Sequence, residues 1–211
     1  MADIFELFKK ISTNTAAPAG KPEYIIVGLG NPGAEYERTR HNAGFLALDR
    51  IAEKSSATVK QSKYKALVGT ASVGGHTVLL MKPQTYMNLS GEAVKEAASF
   101  YQIPADHVIV ISDDVCQAPG RMRIRKSGSA GGQKGLANII NHLGTDAIPR
   151  IRIGVGEKPS PEYDLANWVL GRFSEDDMKL ISPRFDDVYS AVCLIMDGKL
   201  DEAMGKYNGK K

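Results

Sequence analysis

Residues 24–45 read YIIVGLGNPGAEYERTRHNAGF, a run that changes character three times. The apolar, β-branched segment from Tyr24 to Val27 predicts a strand. It breaks into Gly28, Gly30 and Gly33, which permit backbone turns closed to other residues. A polar loop follows, carrying Asn31, Tyr36, Arg38, Arg40 and His41. Asn42 stands as the N-cap of a helix whose apolar face is Phe45, Leu48, Ile51 and Ala52. A strand thus delivers an amide, and a loop delivers a histidine to a helix N-terminus. That combination suits acid–base chemistry more than scaffolding.

Downstream, strands and helices alternate. Two β-rich runs flank Gly74-Gly75 and predict a hairpin. Asn88-Leu89-Ser90-Gly91 opens a helix carrying Ala93, Val94, Ala97, Ala98 and Tyr101, with Ser90 as its N-cap. Val108 to Ser112 is a short buried strand ending in Asp113-Asp114. RMRIRKSG reads as a half-exposed basic strand, SAGGQKGLANIINHLG as a glycine-rich loop entering a helix, and RIRIGVG as another alternating strand. From about Leu165 the chain is helical to Tyr207, with breaks at Pro183 and Gly198. The expected fold is α/β, a single domain over residues 21–211 with a twisted mixed β-sheet and helices on both faces. Catalytic groups are expected at the strand ends, where such sheets form their crevice.

Residues 1–20 differ from the rest. MADIFELFKKI has the pattern of a short amphipathic helix, and STNTAAPAGKP after it that of a small-residue linker, so a flexible N-terminal arm is expected. Glu6, Lys9 and Lys10 interrupt the apolar run that a signal peptide needs. The 211 residues suffice for a sizeable core, and 43% hydrophobic with 24% charged residues is ordinary for a globular protein. A formal charge of +3 is a mild basic bias that does not by itself identify a nucleic-acid binder. Cys116 and Cys193 lack metal-type spacing and point to a reduced, cytoplasmic setting. No apolar run approaches the roughly 20 residues of a membrane span.

Gly28-x-Gly30-x-x-Gly33 is formally a dinucleotide fingerprint. That motif leads straight into a helix, whereas here Pro32 and a polar stretch intervene, and the downstream acid Asp49 falls within a helix. Of the four histidines, His76, His107 and His142 occupy a hairpin turn, a polar turn and a late helix position. His41 alone sits in a glycine-rich loop among several polar groups.

GLGNPGAEYERTRHNAGF and KPQTYMNLSGEAV, followed in order by DDV…PG, GSAGG…G and RIRIGVG, resemble the bacterial peptidyl-tRNA hydrolase family. The resemblance spans roughly Tyr24 to Asp201. It implies a single-domain, monomeric enzyme that needs no cofactor or metal. Its partner is peptidyl-tRNA, whose peptide–tRNA ester it hydrolyses to recycle tRNA from aborted translation. It assigns His41 as general base, Asp113 as the carboxylate orienting it, and Asn31 and Asn88 as the groups holding peptide backbone and scissile carbonyl. Tyr36, Tyr86 and Met87 fall beside the reacting ester, and Arg123, Arg125 and Arg152 on a phosphate clamp. The residues themselves agree, because ester hydrolysis by water needs a base near neutral pH, a group to orient it and donors for the oxyanion.

Two alternatives stay open on sequence. Ser90 with His41 and Asp113 would make a nucleophilic triad, although Ser90 lacks the strained G-x-S-x-G elbow. A non-catalytic RNA-binding relative would keep the fold and basic face without needing a base. The chain also departs from the family pattern twice. Lys134 replaces the usual loop asparagine, giving Gly132-Gln133-Lys134-Gly135, and is expected to act in binding. Cys116 stands where an aspartate is usual.

Overall fold

The structure, a computed structural model, describes residues 20–209. The expected N-terminal arm therefore lies outside the described residues, Gly20 excepted. The strands are β1 (Tyr24–Gly28), β2 (Gln61–Lys63), β3 (Ala66–Val73), β4 (His76–Pro83), β5 (Val108–Asp114), β6 (Met122–Arg125) and β7 (Arg150–Gly154). The helices are α1 (Ala43–Lys54), α2 (Ser90–Tyr101), α3 (Lys134–Leu143), α4 (Leu165–Leu170), α5 (Glu175–Met196) and α6 (Leu200–Tyr207). Among the described residues the strands form one sheet in the order β2-β3-β4-β1-β5-β7-β6. β4, β1, β5 and β7 are parallel, while β3 and β6 add antiparallel partners towards the two edges.

Strand alternation splits the core into two layers. Ile26, Ile109, Ile111 and Ile151 face α1, α5 and α6, packing on Leu48, Ile51, Val188 and Ala203. Ile25, Val27, Val108 and Val110 face α2 and α3, packing on Val94, Ala97, Leu136 and Ile139. Helices thus cover both faces, as the pattern predicts. β4 and β5 flank β1 on opposite sides, so the chain leaves β1 towards either edge of the sheet. This is the switch point at which parallel sheets open a crevice beyond their carboxyl ends.

The Gly74-Gly75 hairpin is present, both residues holding the left-handed backbone (φ 58° and 90°) that a two-residue turn demands. The predicted break at Pro183 is absent, because Pro183 lies inside the continuous helix α5. A helix-interior proline costs about 3 kcal/mol. Burying Ile181, Phe185, Val188, Val192 and Ile195 on the sheet returns about 1.5–3 kcal/mol each, and a Ser174–Asp177 capping box holds the start. Packing outweighs the missing hydrogen bond. Among the described residues no helix is long and apolar enough to cross a membrane.

Candidate active site

The site grows from the carboxyl ends of β1 and β5. Leu29 N–H donates to Ile111 O at 2.9 Å, extending the sheet by one step. The start of α1 then lies directly on this junction. A Cβ on Gly44 would overlap Ile111 O and the Leu29 backbone, so only glycine admits the contact. The helix terminus that a dinucleotide would need is therefore filled by the protein's own backbone.

The turn before α1, Arg40–Asn42, carries His41. Its backbone is fastened from far along the chain. Arg40 N–H donates to Gly171 O at 3.0 Å, and the Arg40 guanidinium donates to Arg172 O at 2.9 Å. That guanidinium also lies 3.6 Å from the Trp168 ring centroid and pairs with Asp177 at 3.5 Å. His41 Nδ1 is 2.9 Å from Asp113 Oδ2. His41 retains 14% side-chain exposure and Asp113 only 3%. With Nδ1 engaged by the carboxylate, Nε2 is left for the cleft.

Asp113 has a second partner that the sequence did not reveal. Gln133 Nε2 donates to Asp113 Oδ1 at 3.0 Å, while Gln133 Oε1 accepts from Leu136 N–H at 2.8 Å and caps α3. The cap fixes which end of the amide faces Asp113. Asp114, on the opposite side of the strand, accepts from Cys116 N–H at 3.0 Å and pairs with Arg152 Nε at 3.1 Å.

Two expected caps serve other purposes. The Asn42 side chain makes no cap bond. It clamps Asn31 instead, accepting from Asn31 N–H at 2.8 Å and donating to Asn31 O at 3.0 Å. Asn31 Oδ1 in turn accepts from Met87 N–H at 2.9 Å, which leaves the Asn31 NH₂ as the free end of the amide. Ser90 is the first residue of α2 rather than its cap. It is fully buried and donates to Met87 O at 2.9 Å, so its hydroxyl supports the Met87 turn and is withdrawn from nucleophilic attack.

These groups border a cleft of about 660 Å³ that contains Asn31, His41, Asn88 and Asp113. Tyr36, Tyr86, Met87, Lys134 and Arg152 line it too. Its far wall, Leu165, Val169 and Leu170 of α4, was not foreseen, since nothing in that segment's local pattern marks it. Cys116 is exposed and lies outside the lining.

Arg123 and Arg125 stand away from the cleft, exposed on β6. They pair in register with Arg152 and Arg150 of β7, so all four share one face. Two of the four are committed within the protein. Arg150 is buried and donates to Ile148 O, Gly128 O and Asp146 O at 2.6, 2.6 and 2.9 Å, and burial lowers its guanidinium below the ordinary arginine range. Arg152 pairs with Asp114 and donates to Gly131 O at 3.2 Å, so it holds the loop before α3.

The other histidines serve packing. His76 lies between Glu23 and Asp197 at 3.2 and 3.4 Å, His107 stacks on Tyr24, and His142 contacts Asn138 O. Among the described residues, no group of three His, Cys, Asp or Glu is placed to hold a metal ion.

The sequence profile of the family described as Peptidyl-tRNA hydrolase matches residues 25–211. The peptidyl-tRNA hydrolase of Agathobacter rectalis is 50% identical over 186 residues, covering 88% of this chain and 100% of the relative. That of Clostridium novyi is 48% identical over 188 residues, covering 89% and 99%. Among solved structures, peptidyl-tRNA hydrolase from Acinetobacter baumannii superposes with a TM-score of 0.84 at 36% identity, covering 92% of this chain and 98% of that one. A peptidyl-tRNA hydrolase complex with N-propanol gives 0.83 at 38% identity, covering 89% and 95%.

Proposed function

Since the chain belongs to the peptidyl-tRNA hydrolase family, and hydrolyses the ester between peptide and tRNA, we propose that His41 is the general base of that reaction. The observation that carries this reading is the 2.9 Å contact between His41 Nδ1 and the buried Asp113, with Nε2 left for the cleft between Asn31 and Asn88. Asp113 holds the imidazole with its proton on Nδ1, and Gln133 holds Asp113. Nε2 takes a proton from water, and the resulting hydroxide attacks the ester carbonyl carbon. The Asn31 NH₂, fixed by Met87 N–H, and the Asn88 amide donate to carbonyl oxygens of the substrate as negative charge develops. Asp113 stabilises the imidazolium, which then protonates the departing ribose oxygen, giving free peptide and free tRNA.

The side chains of Arg123 and Arg125 make no ion pair or hydrogen bond among the described residues and are free to meet phosphate. Arg152 contributes by holding Gly131 as well as by its charge. Lys134, exposed at the first residue of α3 and lining the cleft, contributes to substrate binding. The reading takes the enzyme to be a monomer working in the cytoplasm, where its substrate arises.

His41→Ala tests the reading with peptidyl-tRNA as substrate. It should lower kcat by about 10²–10⁴ while tRNA affinity and the thermal transition survive. Near-normal turnover would remove His41 from the chemistry, and unchanged tRNA binding with no turnover even in the wild type would favour a binding protein.

A further inference from the structure

β6 is the outermost strand at the arginine end of the sheet, with β7 as its one strand partner among the described residues. A strand of four residues paired on one side alone frays easily, and its outward N–H and C=O groups stand bare. The outward edge of β6 is instead occupied by a side chain. Ile124 N–H donates to Asn208 Oδ1 at 2.6 Å, and Asn208 Nδ2 donates to Ile124 O at 3.0 Å. One amide thus pairs with β6 as the backbone of a neighbouring strand would.

Helix α6 brings that amide to the edge. Ala203 and Tyr207 bury the helix in the core layer that holds Ile124, and Asn208 N–H closes its last turn on Met204 O at 3.0 Å. The register of the strand does the rest. Ile124 turns its main-chain groups outward, so Arg123 and Arg125 on either side of it turn theirs to β7, opposite Arg152 and Arg150. The Ile124 side chain is fully buried, whereas those of Arg123 and Arg125 leave the other face and are exposed. At about 3.4 Å per residue the two arginines stand about 7 Å apart. Asn208 therefore grips β6 at the residue midway between them, and it does not line the cleft that contains His41.

We propose that Asn208 is a positioning residue for tRNA, one that touches no substrate and acts through Arg123 and Arg125. By closing the edge of β6 it keeps the two guanidinium groups at a set spacing on one face. Little ordering is then left to be done when phosphate arrives, and affinity rises accordingly. The assignment rests on the reading of those two arginines as phosphate contacts.

The test compares two substrates, a full-length peptidyl-tRNA and the same peptide esterified to adenosine alone, which lacks the distal phosphates. Asn208→Ala should lower the ratio of kcat/KM for the first to that for the second by about three- to tenfold, through KM. Loss of folded protein lowers both rates together and leaves the ratio alone. In a protein already carrying Arg123→Ala and Arg125→Ala, adding Asn208→Ala should not lower the ratio further, since the groups it positions are gone. An unchanged ratio in the single variant, or an equal fall with and without the arginines, would overturn the proposal. The arginine pair replaced by itself separates the two ideas. A ratio that survives their loss overturns the phosphate contacts together with the clamp, whereas an arginine-dependent ratio that Asn208→Ala does not move overturns the clamp alone.

Discussion

Asp113→Asn exchanges a carboxylate oxygen for an NH₂, and the surrounding hydrogen bonds decide the outcome. Gln133 Oε1 is committed to Leu136 N–H, so its Nε2 faces Asp113 as a donor. An asparagine at 113 therefore turns its oxygen to Gln133 and its NH₂ to His41. His41 Nδ1 must then accept, which puts the imidazole proton on Nε2, the nitrogen that has to receive one from water. Rotating Gln133 instead would break the α3 cap at about 0.5–2 kcal/mol. A bias of about 1.4 kcal/mol is tenfold in population, so roughly a tenth of the enzyme keeps the productive tautomer. The lost charge-assisted bond to imidazolium, about 1.5–3 kcal/mol, brings the combined fall in kcat to about 10²–10³ or somewhat more. Adding Gln133→Glu reverses the bias. The introduced carboxylate accepts from both Leu136 N–H and the new amide, whose oxygen then returns to His41. Gln133→Glu alone does harm, because two buried carboxylates face each other across a hydrogen-bond distance and have to share a proton. Single-turnover rates of the four proteins close a double-mutant cycle, and the double variant should exceed Asp113→Asn by about tenfold. Additive losses, or a double variant slower than Asp113→Asn, would refute the argument that Gln133 sets the orientation.

Arg123→Ala with Arg125→Ala should flatten the plot of log binding constant against log salt by about 0.7–0.9 for each phosphate that is no longer neutralised, and an unchanged slope in filter-binding titrations would move tRNA to another face. Lys134→Ala should raise KM several-fold, most at low salt, with kcat little changed, as expected for an exposed cation that binds rather than reacts. Steady-state kinetics at two ionic strengths check this, and unaltered KM at both would leave Lys134 facing solvent.

The central strands were legible because β1 and β5 are buried and carry unbroken β-branched runs, while β7 showed itself by strict alternation. His41 was legible because of its setting, a glycine-rich loop with several polar neighbours and a helix directly after it. Asn42 holds its expected N-cap position without making a cap bond, and Ser90 opens α2 rather than capping it, for a shared reason. Capping rules look a few residues ahead, whereas Asn42 serves the backbone of Asn31 and Ser90 looks back to Met87 O. Gln133 gave no sign of its bond to Asp113, because only the fold brings those residues together. Arg150 alternates with Arg152 as a solvent-facing strand would. The loop carbonyls at Gly128 and Asp146 that bury it come from two separate segments, and no periodicity in β7 announces them.

The fastening of Arg40 to Gly171, Arg172 and Asp177 has a bearing on how the protein is born. While it is being synthesised, the chain is itself a peptide esterified to tRNA, and so belongs chemically to the class of molecule it destroys. β1, α1 and β5 emerge from the ribosome early, yet the turn bearing His41 acquires its anchors only when α4 and the start of α5 have followed. Catalytic competence is thereby tied to the synthesis of α4 and the start of α5. Until those segments have been made and folded, the turn bearing His41 lacks the anchors that hold it.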